Sequence, residues 1–246
     1  NGVNRSEEGR SVGDFYVVRT DGIFQNWDEV YAHTHTSTDA DTGVETTTLI
    51  QPNAKPGDIR YKDINDDGQI NKDDREFVGS PFPDYEVGLQ FSCEYKNFDL
   101  SMFMTAVAGN MIYSNTKYWL ERMDETSNLP AGLQPWTEQN HSTTTPRAVM
   151  GPNDNTLSYS DRWIEKGDYI RMKNLQLGYN FPKNLLKQTK VVESCRLFAG
   201  VQNLFTLTNY SGYDPEISGG DIFGKGNDNG HFPPVRSFNA GVQISF

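Results

Sequence analysis

The stretch Tyr85-Glu-Val-Gly-Leu-Gln-Phe-Ser-Cys-Glu-Tyr95 alternates without a break. Its odd positions are Tyr85, Val87, Leu89, Phe91, Cys93 and Tyr95, and its even positions are Glu86, Gly88, Gln90, Ser92 and Glu94. Successive side chains of a strand point to opposite faces, so a period of two means one apolar and one polar face. Lys96-Asn97 then makes a short turn. After it Phe98, Leu100, Met102, Met104, Ala106 and Ala108 alternate with Asp99, Ser101, Phe103, Thr105 and Val107, which completes a β-hairpin.

The same texture recurs downstream. Leu175, Leu177, Tyr179 and Phe181 alternate with Asn174, Gln176, Gly178 and Asn180. Cys195, Leu197, Ala199, Val201, Asn203 and Phe205 face away from Arg196, Phe198, Gly200, Gln202 and Leu204, a less clean pattern. Phe238, Ala240, Val242, Ile244 and Phe246 alternate with Ser237, Asn239, Gly241, Gln243 and Ser245. Five strands are therefore expected at about 85–95, 98–108, 168–181, 194–207 and 237–246. Each has about the ten residues that cross a bilayer at a tilt of about 45°. A soluble sheet with one face on a core also alternates. Two features favour a membrane barrel: the polar face is Gln, Asn, Gly and Ser more than Lys and Glu, and aromatics sit near strand ends. Links also alternate between short (96–97, 182–192) and long (109–167, 208–236), as barrels do with inner turns and external loops. Within the first long loop, residues 111–123 are expected to form a short helix with Ile112, Tyr113 and Leu120 inward.

Of the 246 residues, 33 are acidic and 22 basic, a net charge of −11. Such a chain repels phosphate backbones and has no Lys/Arg cluster, so nucleic acid is excluded as a partner. The longest mostly apolar stretch, 100–108, is too short for a membrane-spanning helix. Residues 1–80 hold 16 acidic and 8 basic side chains, −8 of the total. Residues 1–82 read as an acidic, solvated region, which the family resemblance given below would place in an external loop, with the Thr-rich 36–48 as a mobile loop. Asn1 opens without Met or an apolar leader, so a segment upstream is expected. Cys93 and Cys195 occupy apolar strand positions and make no disulfide framework. His33 and His35 form an HxH that reads as two solvated loop histidines, because a zinc site needs three or four protein ligands.

The sharpest local motif is Asp63-Ile-Asn65-Asp-Asp67-Gly68-Gln69-Ile70-Asn71-Lys-Asp73-Asp74. It matches a calcium loop, with oxygen donors Asp63, Asn65 and Asp67 at positions 1, 3 and 5 and Gly68 at the sharp turn. The Gln69 carbonyl stands at position 7, Asn71 at position 9 and Asp74 at position 12. Calcium with a structural role is the expected cofactor. Asp at position 12, in place of Glu, has shorter bidentate reach.

Together these stretches resemble the C-terminal end of the SusC/RagA family of TonB-dependent outer-membrane nutrient transporters. The resemblance rests on Gly57-Asp-Ile-Arg-Tyr-Lys-Asp-Ile-Asn-Asp-Asp-Gly-Gln-Ile-Asn-Lys-Asp-Asp-Arg75, Val78-Gly-Ser-Pro-Phe-Pro83 and the hairpin through Ala108-Gly-Asn110. It rests also on Gly167-Asp-Tyr-Ile-Arg-Met-Lys-Asn-Leu-Gln-Leu-Gly-Tyr-Asn180, Val201-Gln-Asn-Leu-Phe-Thr-Leu-Thr-Asn-Tyr-Ser-Gly-Tyr-Asp-Pro215 and the closing Phe246. It implies an all-β fold, the last antiparallel strands of a barrel of 22 strands with long extracellular loops. It also implies an outer membrane of a Gram-negative, Bacteroidetes-like bacterium. Implied partners are a SusD-like surface lipoprotein, the remainder of the barrel and plug, TonB acting through that plug, and an oligosaccharide or peptide cargo. Five strands cannot close a barrel alone, since the smallest have eight.

No residue is catalytic on this reading. Loop aromatics Tyr118, Trp119, Trp136, Trp163, Tyr210 and Tyr213 are candidates for substrate contact, or else hold the loops shut. Two rival classes remain: a secreted calcium-stabilised carbohydrate-binding β module, and a glycoside hydrolase built on Asp214 and Glu216. The first predicts a second DxNxDG loop, which is absent. The second lacks a third catalytic group beside its carboxylate pair.

Overall fold

The computed structural model describes residues 2–124, 128–151, 153–186, 191–217 and 222–246. The expected link 182–192 and the Gly-rich stretch after Ile217 fall partly outside those residues. In chain order the elements begin with β1 (Asn4–Arg5), β2 (Asp14–Val18), β3 (Thr20–Ile23), α1 (Trp27–Ala32), β4 (Thr34–Thr38), β5 (Glu45–Leu49), β6 (Ile59–Tyr61) and β7 (Arg75–Gly79). They continue with β8 (Tyr85–Tyr95), β9 (Phe98–Ala108), β10 (Met111–Ser114), α2 (Asn115–Glu121), β11 (Ile164–Lys166), β12 (Tyr169–Asn180) and α3 (Lys183–Leu186). Last come β13 (Ser194–Gln202), β14 (Thr206–Thr208), β15 (Asn227–Asp228) and β16 (Ser237–Ser245). No described helix is long and apolar enough to cross a membrane.

The chain divides into two compact units. The first comprises Asn1–Pro81, Ile112–Glu165 and Ser218–Gly230; the second comprises Phe82–Met111, Lys166–Ile217 and His231–Phe246. The boundary expected near residue 82 is therefore incomplete. Most of the first long loop folds with the acidic N-terminal region, because neither carries enough apolar surface to form a core by itself.

In the first unit, the run Asp14-Phe-Tyr-Val-Val18 supplies the interior. Phe15, Val17 and Val18 are fully buried, and Val18 packs with Ile59 and Tyr61 against Ile70, Leu157 and Tyr159. The side chain of Gln51 is also buried and acts as a strand edge: it donates to the Ile59 carbonyl at 3.0 Å and accepts from the Tyr61 N–H at 2.9 Å. Asp58 receives the Arg147 guanidinium through Nε at 2.7 Å and Nη2 at 2.9 Å, and the Asn155 amide at 2.8 Å. Those bonds compensate a carboxylate taken out of water.

Two local expectations change here. Residues 36–48 belong to an antiparallel pair, β4 with β5, in which Thr36 Oγ1 meets Thr47 Oγ1 at 2.9 Å. β-branched Thr favours strands, and Asp39 Oδ1 closes the turn on the N–H groups of Asp41 and Thr42. The helix expected over 111–123 is a strand followed by a helix. Met-Ile-Tyr extends as β10, Ser114 caps α2 by accepting from the Lys117 N–H, and Leu120 is exposed, not inward.

The second unit is an antiparallel sheet in the order β16-β13-β12-β9-β8, with β14 pairing β12 beside β13. Its strands are those read from the alternation, except that β13 ends at Gln202 and β14 is separate. Asn203 takes a positive φ of 52° at that break. Lys96 does the same at 55° in the hairpin turn. A bulge between Met172 and Asn174 shifts the register of β12 against β9. Among the described residues β8 and β16 each have one neighbour, so the sheet is open at both ends.

Candidate functional site

Register turns the period of two into two continuous surfaces. Phe91, Met102, Leu175, Val201 and Phe238 stand opposite one another in one row across all five strands. Cys93, Leu100, Leu177, Ala199 and Ala240 form the next row, and Tyr95, Phe98, Tyr179, Leu197 and Val242 a third. Large side chains on this face are open: Leu89 is 52% exposed, Leu177 50%, Val242 59% and Phe238 76%. A contiguous apolar surface of this extent is uncommon on a protein that meets water there.

The opposite face is polar. One row reads Ser92, Ser101, Gln176, Gly200 and Asn239, and the next Glu94, Asp99, Gly178, Phe198 and Gly241. Glycine leaves room for neighbouring side chains in that second row. A Cβ on Gly241 would stand 2.9 Å from the Phe198 ring atom Cε1, and one on Gly178 2.6 Å from Arg196 Nη2. The missing side chains admit the Phe198 ring, which explains the less clean alternation of β13, and an Asp99–Arg196 ion pair with Arg196 Nε at 3.0 Å from Asp99 Oδ1.

At the other end of β12, Arg171 is almost wholly buried, and its charge is fully matched. It donates to Asp214 Oδ1 at 2.7 Å and Oδ2 at 2.6 Å, to Glu216 Oε2 at 2.7 Å and to Thr206 Oγ1 at 2.9 Å. Lys173 Nζ adds bonds to Glu216 at 2.6 and 2.8 Å. The segment after β14 is thereby tied to the strand. Asp214 and Glu216, the pair weighed for glycoside hydrolysis, are consumed as anchors. Their oxygens are taken up by Arg171 and Lys173, which leaves no carboxyl turned toward a scissile bond.

The acidic loop folds around its own donors. Asp63 accepts from the N–H groups of Asp67 at 3.2 Å and Gly68 at 2.7 Å, and Asn65 Oδ1 accepts from the Asp67 N–H at 3.1 Å. Asp67 accepts from the Asn65 amide at 3.0 Å and the Gln69 N–H at 2.9 Å. The Asn65 contact first, with the Gln69 and Asn71 bonds, holds the Asp67 carboxyl below the usual carboxylate range. Gly68 takes φ +78°, as the turn demands. The donor set Asp63, Asn65 and Asp67 is all hard oxygen and suits calcium. Asp74 and Asn71, the other side chains expected among the ligands, bond to the loop's own backbone. Asp74 is fully buried with its oxygens on the N–H groups of Ile64 at 3.0 Å and Asn71 at 2.7 Å, and Asn71 Oδ1 accepts from the Asp73 N–H. They form a capping box that closes the loop, since the short Asp side chain stops at the backbone.

His35 was not foreseen at this loop. Its ring lies against Gly68, its Nδ1 is 3.0 Å from Asp66 Oδ1, and it groups with Asp63 and Asp66. The β4 strand brings it there, a long-range placement that HxH spacing does not encode. His33 is likewise not solvated: it packs edge-on to Phe24 at 5.5 Å.

The aromatic candidates separate by burial. Trp163 is fully buried, donating from Nε1 to the Leu157 carbonyl at 2.8 Å, with Tyr118 against its face at 5.3 Å. Trp136 covers Gly57 and donates to Gln25 Oε1 at 3.2 Å. Tyr210 is buried as well. These three are packing residues with no ring face open to a cargo. Trp119 and Tyr213 are exposed, and Arg122 stacks over Trp119 at 4.5 Å.

A TonB-dependent receptor of Formosa agariphila is 31% identical over 246 residues, covering 97% of this chain and 22% of the relative. The TonB-dependent receptor SusC of Bacteroides thetaiotaomicron is 30% identical over 195 residues, covering 79% of this chain and 18% of the relative. The chain belongs to the SusC-type TonB-dependent receptors. It spans about a fifth of the length of these curated relatives. Among solved structures, one of the RagAB peptide transporter superposes with a TM-score of 0.70 at 22% identity, covering 100% of this chain and 24% of the other. The fold is thus that of the last strands of such a barrel. No protein-family model matches.

Proposed function

We propose that the second unit is a section of the wall of an outer-membrane, TonB-dependent importer. The apolar rows face lipid and the Gln/Asn/Ser/Gly rows face a wet lumen. The observation that carries this is the unbroken apolar face across β8, β9, β12, β13 and β16, read with the two open sheet edges. Edge strands left unpaired invite association, and a closed barrel removes them. The rest of the barrel and its plug would complete it, with TonB acting on the plug. The first unit would form external loops that meet cargo, an oligosaccharide or peptide, and a SusD-like lipoprotein, with Trp119 as its open aromatic face; Tyr213 is an open aromatic face of the second unit. The acidic loop would hold structural calcium through Asp63, Asn65 and Asp67. On this reading no residue breaks or forms a bond, which accords with relatives named as receptors and transporters.

Tryptophan at Leu89 and, separately, at Gln90, in the full-length protein reconstituted in vesicles, tests the wall. A lipid brominated along its acyl chain quenches the fluorescence added at position 89 and leaves that at position 90 unquenched. Equal quenching, or none at either, defeats the assignment.

A further inference from the structure

The first unit contains a polar cavity of about 630 Å³, whose wall includes none of the acidic loop's donors Asp63, Asn65 and Asp67. In a chain of net charge −11, no Asp or Glu lines it. Two cations do, Lys72 and Arg75, and among the described residues neither has an acidic partner within ion-pair distance. Of the neighbouring carboxylates, Asp74 is held by the N–H groups of Ile64 and Asn71, and Glu76 lies 3.4 Å from Arg19. Arg75 gives one bond to the Gly2 carbonyl at 3.0 Å, lies 4.6 Å over the Tyr159 ring, and keeps a buried Nε with no acceptor. Asn115 donates to Asn229 Oδ1 at 2.9 Å, and both amides line the cavity. Tyr113, also in the wall, is pinned by its hydroxyl on the Ser158 carbonyl at 2.8 Å.

We infer that this cavity binds a small hydroxylated oxyanion, a molecule that carries a carboxylate or a sulfate group beside neutral hydroxyls. Guanidinium and ammonium recognise the anionic oxygens, with the planar guanidinium suited to two of them at once. The asparagines offer a donor and an acceptor to hydroxyl groups. The volume lies within the range of small-ligand sites, about 300–1,000 Å³. The surrounding acidic surface makes the site selective, since an anion finds compensation there and repulsion around it. The inference stands on the cavity and not on transport, and its test reads binding, not uptake.

Isothermal titration of the full-length protein in detergent with sodium glucuronate, sodium sulfate and glucose tests it. Glucuronate or sulfate is expected to bind, more weakly as sodium chloride is added, and glucose at least tenfold more weakly. Tighter binding of glucuronate identifies the carboxylate as the source of the anion, and tighter binding of sulfate the sulfate group. Lys72→Glu, at an exposed position with little structural burden, and Arg75→Gln each lower anion affinity tenfold or more; Lys55→Glu, outside the cavity, does not. Glucose binding as tightly as both anions, no binding by either anion, or Lys72→Glu and Arg75→Gln both retaining the parent affinity overturns the inference.

Discussion

His33 shows how a single side chain can carry a measurable pH dependence. Burial first, then the nearby Arg60, lowers its pKa from the ordinary 6.5, against the opposing pull of Asp21 and Asp63. A base whose folded pKa is depressed binds its proton more readily in the unfolded chain, so stability is lost as pH falls through about 6.5. Thermal unfolding of the first unit is therefore expected at a lower temperature at pH 5.5 than at pH 7.5, and His33→Gln shrinks that difference. An unchanged difference in the variant removes the histidine from the account. At this scale the sequence was a poor guide. HxH suggested two solvated rings, whereas the packing on Phe24 and the contact with Gly68 and Asp66 come from residues nine or more positions away. The same holds for the aromatics: nothing in the residue type of Trp163 or Trp136 distinguishes a packed indole from the open one of Trp119.

At the scale of the element, alternation was legible because a strand has a period of two whatever lies on either side of it. Its consequence can be measured at one step of β12. Leu177→Lys places an ammonium on the apolar face and, near the bilayer midplane, costs about 2–4 kcal/mol of folding stability. Gln176→Lys, one residue away on the polar face, costs under about 1 kcal/mol, because that side is wet. Urea-driven unfolding from vesicles compares the two, and equal costs would contradict the assignment of faces. Breaks in pattern were harder to read. Phe198 on the polar face is explained only by Gly241 on the neighbouring strand, and Lys173 by the bulge that lets it reach Glu216. The helix expected over residues 111–123 is present only from Asn115 to Glu121, since apolar spacing in so short a stretch does not separate the strand before it from a helix.

Across the whole molecule, charge is unevenly placed, with −8 of the −11 in the first 80 residues. Calcium in the acidic loop would offset part of it. Ligand that binds only the folded state adds about 2.7 kcal/mol when present at a hundred times its dissociation constant. Saturating calcium is therefore expected to raise the melting temperature of the protein, a chelator to lower it, and Asp63→Asn to abolish the response. A melting temperature indifferent to both additions leaves the loop as a capped acidic turn, held by its own hydrogen bonds.

The alternating strands, their two faces and the acidic loop with its glycine were written in local sequence, because each depends on neighbours two to twelve positions apart. Tertiary structure alone decided the rest: that residues 112–165 fold with the first 81, that Asp214 and Glu216 are anchors for Arg171, and that Lys72 and Arg75 share an acid-free cavity with Asn115 and Asn229. Those outcomes join segments tens to more than a hundred residues apart. Which distant groups meet is set by how surfaces bury and charges find partners, and no periodicity along the chain records it.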